Sequence, residues 1–148
     1  MSGGKTHVRS RARSWTLQLL YAWDVAGEGE LGEHAEETIR HRRVSDRYMP
    51  YIRRLVDALD EHMDEVDAAL QDTIPNWRLE RLAVIDRNVL RIGAVELLEF
   101  DDVPGKVAIH EAIQLAEKYG SEDSPGFVNG VLDGLFKKQR ERENAPAG

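Results

Sequence analysis

Lys5, Arg9, Arg11 and Arg13 place four cations and no acid within the first 23 residues of a chain whose formal net charge is −7. The chemistry open to such a segment is anion recognition, because a guanidinium pairs with phosphate through two N–H groups and stacks on a base. Arg9 and Arg13 share a face if the segment is helical, and Arg11 then points the opposite way. The three converge on one strand only if the segment is an extended arm or if RNA wraps around it. The competing reading is solubilising charge on a frayed terminus. An acidic chain repels polyanions on average, so any nucleic-acid function must be confined to a basic patch of this kind.

A second unusual pattern lies near the other end. Gly126, Gly130 and Gly134 recur at every fourth position of a helical segment, where glycine costs about 0.8–1 kcal/mol relative to alanine in a helix interior. Something therefore approaches that backbone closely, with internal helix–helix packing favoured over an external partner. Asp133, Lys137 and Lys138 make the helix amphipathic, which excludes membrane dimerisation through the stripe. Beside it stand Asn129 and Phe127; the phenyl ring is either a core residue or an exposed platform for an unpaired base.

Other candidate motifs lack the context their chemistry needs. Gly27-Glu28-Gly29-Glu30-Leu31-Gly32 has the spacing of a dinucleotide loop, but no strand precedes it and two glutamates would oppose a pyrophosphate. His110-Glu111 has Gln114 where a zinc protease needs its second histidine. Of the five histidines, only His34 and His41 suggest any ligand spacing, seven residues apart on a polar helix. Glu99, Asp101 and Asp102 read as loop charge more readily than as a hard-cation site. No local grouping of serine, histidine and acid activates a nucleophile. There is no cysteine, so disulfides and thiolate metal sites are out, and a reducing compartment fits. No signal peptide and no run of about 18 apolar residues is present. A soluble, cytoplasmic protein without cofactor or metal is expected.

The elements that must position these residues are helices. At 148 residues with 41% hydrophobic content, the chain can bury a substantial core in one domain. Val8, Ala12, Trp15, Leu19 and Ala22 mark an amphipathic helix ending near Ala26-Gly27. Glu33 to Arg43 reads as a short helix. A third, capped by Ser45 or Asp46 with Pro50 in its first turns, runs to about Asp72 with a possible break near Glu61-His62. Leu82, Ile85, Val89, Ile92 and Val95 carry the next to about Phe100. The segment from Val107 to Tyr119 is helical, and Ser124 followed by Pro125 starts the last helix, as N-cap and first-turn proline. The fold class is all-α, with about seven helices in two small helical-bundle subdomains (about 8–72 and 76–143). These form one domain over 1–144 with a frayed tail at 145–148.

Taken in order, several strings resemble the NusB family of bacterial transcription antitermination factors. They are Arg9-x-Arg11-Ala12-Arg13 with Gln18-Leu19-Leu20-Tyr21, Ile85-Asp86-Arg87 with Leu90-Arg91-Ile92 and Glu96-Leu97, and Val103-Pro104 with Lys106-Val107-Ala108-Ile109 and Glu111-Ala112. Phe127-Val128-Asn129-Gly130-Val131-Leu132-Asp133 completes the set. The likeness runs from about Arg9 to Phe136. It implies a non-enzymatic protein that pairs with the ribosomal protein NusE on single-stranded boxA RNA of ribosomal RNA leaders, within the transcription elongation complex. It implies that Arg9, Arg11, Arg13, Lys106, Asp123 and Phe127 face RNA, and that Tyr21 and Asp86 face the basic ribosomal protein. Two positions depart from the family pattern. Gly126 stands where a lysine is frequent, removing a phosphate contact, and His110 stands where asparagine is usual. Two other roles are compatible with the resemblance: a domain associated with an RNA cytosine methyltransferase, and a homodimer that stores the protein with its RNA surface hidden.

Overall fold

The computed structural model describes residues 2–145 and the side chains of 4–145. Among them are six α-helices: α1 (Ser2–Ala26), α2 (Leu31–Arg42), α3 (Met49–Thr73), α4 (Val84–Glu99), α5 (Gly105–Tyr119) and α6 (Ser124–Glu143). One 3-10 turn, Leu79–Arg81, precedes α4, and no strand occurs among the described residues. The expected all-α class is what is found. Of the tail placed at 145–148, only Ala145 is among the described residues.

The breakers act where the sequence puts them. Gly27 and Gly29 take positive φ values of 73° and 90°, which end α1 and turn the chain into α2. The Trp23 indole N–H donates to the Gly29 carbonyl at 3.0 Å and closes the loop. The dinucleotide-like spacing is thus a helix-ending turn. Pro50 and Pro125 each sit in a first turn. α3 is interrupted at His62, whose φ and ψ of −113° and 15° are not helical.

α4 is the axis of the molecule. Every residue from Arg87 to Leu97 is buried, and α1, α3, α5 and α6 pack around it. Gly93 permits the tightest of these contacts, since a Cβ there would lie 2.5 Å from a Leu132 methyl. Around α4 the buried apolar side chains include Leu17 and Leu20 of α1, Ile52 and Leu59 of α3, Ala108 and Ala112 of α5, and Val128 and Leu132 of α6.

Polar clamps fix the register of α1 on α4. Asp24 at the end of α1 accepts from Arg87 Nε at 2.8 Å, from Asn88 at 2.9 Å and from Arg91 at 3.0 Å. Arg91 also binds Asp67 of α3 through two bonds of 2.9 Å. Burial alone would raise the Asp24 carboxyl, but the bonds from Arg87 and Asn88 and the two guanidinium charges hold it below its ordinary range. About three turns earlier on α1 the charges are reversed: Arg13 donates from Nε to both oxygens of Glu96 at 2.9 and 3.0 Å, and from Nη1 to Glu111 at 3.1 Å. The Tyr51 hydroxyl donates to Glu96, and burial followed by the Glu96 charge pushes that phenol well above its usual range, so it remains a donor. Basic-against-acidic at one end and acidic-against-basic at the other admits a single antiparallel alignment of the two helices.

This corrects one expectation. Arg13 does not face RNA; it is 2% exposed, and its guanidinium is committed to α4 and α5. The start signal at Ser124 is also reassigned. Its hydroxyl does not cap α6 but donates to Asp86 of α4 at 2.6 Å and accepts from the Ser121 N–H at 2.9 Å.

Removing one member of a buried ion pair strands the other. Arg13→Ala is therefore expected to lower the unfolding free energy by about 3–5 kcal/mol in urea denaturation. A variant with wild-type stability that has lost only RNA affinity would return Arg13 to the nucleic-acid surface.

Candidate nucleic-acid interface

α1 is helical through its whole basic segment, so its cations divide by face. Arg13 points inward, Arg9 lies half-buried at the rim, and Arg11 and Lys5 are exposed. The three arginines do not converge. What converges is α1 with α5, which lie side by side and leave two shallow depressions between them.

The first, about 160 Å³, is lined by Ser10, Arg11 and Ser14 of α1 and by Gln114 and Lys118 of α5, with Arg13 and Glu111 at its floor. The Ser10 hydroxyl donates to Glu111, which also holds Arg13, so the buried clamp forms the base of the groove. The second, about 190 Å³, continues past Lys5, Thr6 and Arg9 to Val103, Pro104 and Val107 at the start of α5. Lys106 is exposed in that first turn. From Lys106 to Lys118 the helix spans about 18 Å. Lys5, Arg11, Lys106 and Lys118 have no carboxylate within ion-pair distance among the described residues, so their charge is available to an anion. His110 lies on the same helix, with its ring nitrogen 3.1 Å from the Gln114 amide.

Asp123 and Phe127 lie beyond the Lys118 end, where the chain turns from α5 into α6. Asp123 is exposed, whereas Phe127 is half-buried and packs against the core with part of its ring open. The ring is therefore neither wholly core nor wholly exposed. The neighbouring glycines divide. A Cβ on Gly134 would meet Thr73 Cγ2 at 3.1 Å, as the packing reading expects, but Gly126 and Gly130 face open space. Internal packing does not account for those two; they leave bare helix backbone beside Phe127.

Tyr21 and Asp86 belong to the opposite end of α1, where Asp24 clasps Arg87 and Asn88. Tyr21 is 44% exposed, and one turn further on Val25 is 60% exposed, together an apolar patch. Asp86 is half-buried and shares one oxygen with Ser124. It therefore also ties the start of α4 to the start of α6, adjacent to Asp123.

Sequence reasoning missed Lys118 and Val25. Both were legible in principle: Lys118 is four residues from Gln114, and Val25 is four from Tyr21, each on the same helix face. The acidic turn is not a cation site. Asp102 accepts from Arg9 and Arg54, the Arg54 bond above all holding its carboxyl well below the usual range, while Glu99 turns towards His62. The one grouping of potential metal ligands among the described residues is His62, Glu65 and Glu99 at the α3 kink, with ligand atoms within 4.8 Å of one another. The Glu65 bond raises the His62 pKa, followed by the charges of Glu99 and Glu61, so a proton competes for that position. No helix among the described residues is long and apolar enough to cross a membrane.

Comparison with known proteins bears on this geometry. A transcription antitermination protein NusB from Anaeromyxobacter dehalogenans (strain 2CP-1 / ATCC BAA-258) is 47% identical over 128 residues, covering 86% of this chain and 89% of that protein. A crystal form of NusB from T. maritima superimposes with a TM-score of 0.81 at 33% identity, covering 91% of this chain and 96% of the other. A chain from the crystal structure of antitermination factors NusB and NusE in complex with dsRNA gives a TM-score of 0.79 at 29% identity, covering 89% and 98%. The NusB family model matches residues 10–137, and the chain belongs to that family.

Proposed function

We propose that the protein is an RNA-binding transcription antitermination factor. In this reading it pairs with the ribosomal protein NusE on single-stranded boxA-type RNA and supports ribosomal RNA transcription within the elongation complex. The observation that carries the reading is the α1–α5 groove, where Lys5, Arg11, Lys106 and Lys118 are unneutralised in a chain of net charge −7. Similarity to NusB solved with NusE and dsRNA supports RNA and NusE as the partners.

Each group has a distinct role. The four cations contact phosphates along the groove, while Arg9, held by Asp102, borders it. Phe127, half open and flanked by the bare backbone at Gly126 and Gly130, stacks on an unpaired base, and Asp123 accepts from a base or sugar beside it. The absence of a lysine at position 126 reduces the phosphate contacts there and leaves the stack as the main anchor at that end. Tyr21 and Asp86 meet the basic ribosomal protein, with Val25 extending the apolar part of the contact. Single-stranded RNA is favoured over a duplex because the ring can stack only on a base free of its own neighbours.

Fluorescence anisotropy with single-stranded RNA is expected to give a log–log salt slope of about −2 to −3, corresponding to three or four phosphates. Phe127→Ala is expected to weaken binding by roughly 5- to 150-fold through about 1–3 kcal/mol of lost stacking, with the salt slope unchanged. Salt-independent binding would remove the groove from the account, and an unaltered affinity in Phe127→Ala would return the ring wholly to the core. Tyr21→Ala should keep the wild-type melting temperature while weakening the NusE complex by about tenfold or more in calorimetry. Unchanged partner affinity would remove Tyr21 from that interface.

A further inference from the structure

A second basic cleft lies on the other flank of α1. Lys5, Val8 and Arg9 face Arg47, Pro50, Tyr51 and Arg54 at the start of α3 across a cavity of about 480 Å³. Four cations line it. Asp102 bonds to Arg9 at 2.9 Å and to Arg54 at 3.0 Å, so one carboxylate is shared by two of them. Lys5 and Arg47 have no carboxylate within ion-pair distance among the described residues. The cleft thus carries a local charge of +3 on a protein of net charge −7, and its walls concentrate that field.

Its arginines are pre-positioned on aromatic rings. The Arg9 guanidinium lies 4.7 Å from the centroid of Tyr51, and that of Arg54 lies 4.0 Å from the centroid of Phe100. Holding the planar forks in this way reduces the ordering cost of pairing them with an anion. The exposed large apolar side chains (Tyr21, Val25, Trp77 and Val107) all lie outside the cleft, which favours a charged occupant over an apolar protein surface.

We propose that this α1–α3 cleft is a second phosphate-binding site for the same single-stranded RNA, so that the strand passes from the α1–α5 groove around the start of α1. The two surfaces are continuous because Lys5 and Arg9 line both. The proposal rests on the reading of the α1–α5 groove as the RNA interface and extends it to α3, with Arg47 as the principal new contact.

The test is a salt titration of anisotropy with a single-stranded RNA of about a dozen nucleotides. It compares wild type, Arg47→Ala, Lys118→Ala, and an Arg40→Ala variant that removes equal charge elsewhere. The cleft variant is expected to lose roughly 2- to 5-fold in affinity at low salt. Its slope should become less negative by about 0.7, the value for one phosphate lost. The matched control should keep the wild-type slope. Wild-type affinity and slope in the cleft variant, with binding reduced in Lys118→Ala, would overturn the cleft and leave the groove standing. No binding by the wild-type protein would overturn both. Weaker NusE binding by the cleft variant with unchanged RNA binding would make the cleft a protein surface and overturn the proposal.

Discussion

The guanidinium of Arg13 is the point on which the helices agree. Taking a cation out of water is costly unless its donors meet acceptors in good geometry, and here those acceptors come from separate helices. Glu96 is on α4, Glu111 on α5, and Tyr51 of α3 secures Glu96 in turn. Arg13 can therefore be satisfied only when α1 sits across all three with one roll about its own axis. That roll decides what the rest of α1 shows: Arg9 at the rim, Arg11 to solvent and Ser10 in the groove floor. A buried charge thus sets the orientation of the exposed ones.

The Asp24 clamp at the other end of α1 uses opposite signs, and the combination sorts the surfaces. Between Arg11 and Tyr21 the helix rises about 15 Å, and over that length its exposed face changes from cationic to aromatic and apolar. In the proposed function the cationic end meets RNA and the apolar end a protein surface, so one rigid element presents both. Asp86 lies at the Tyr21 end, and its bond to Ser124 sets the start of α6 there and with it Asp123 and Phe127. An acid expected to act only on a partner thus also has a structural role.

The helices were legible because their signals are local. Apolar spacing, the glycines after Ala26, the break at His62 and the first-turn prolines each act within a few residues. Arg13 was not legible as a core residue because its partners lie 83 and 98 residues away. Read with its neighbours it looks like one more cation in a basic segment. The available signal was on the other side of the pair: Glu96 between Val95 and Leu97, and Glu111 between Ala108 and Ala112, are lone acids inside buried apolar runs that require a counter-charge. The same limit applies to the basic α1–α3 cleft, since Arg47 and Arg54 are far from Arg9 in the chain; Arg54 meets it through Asp102 and Tyr51, and Arg47 lines the same cleft. The glycine stripe shows the converse. One pattern covers two environments, with Gly134 packed on α3 and Gly126 and Gly130 open, and spacing alone does not separate them.

The central claim is that the buried Arg13 clamp fixes which face of α1 turns outwards beside α5, the proposed nucleic-acid surface. Backbone amide NMR during titration with single-stranded RNA tests it most directly, because it reports every position at once. The account predicts the largest shift changes at residues 5–11, 106–118 and 123–130, with α2 and the Tyr21–Val25 segment nearly unaffected. Changes concentrated on α2 or at Tyr21–Val25, with the α1–α5 groove silent, would contradict it.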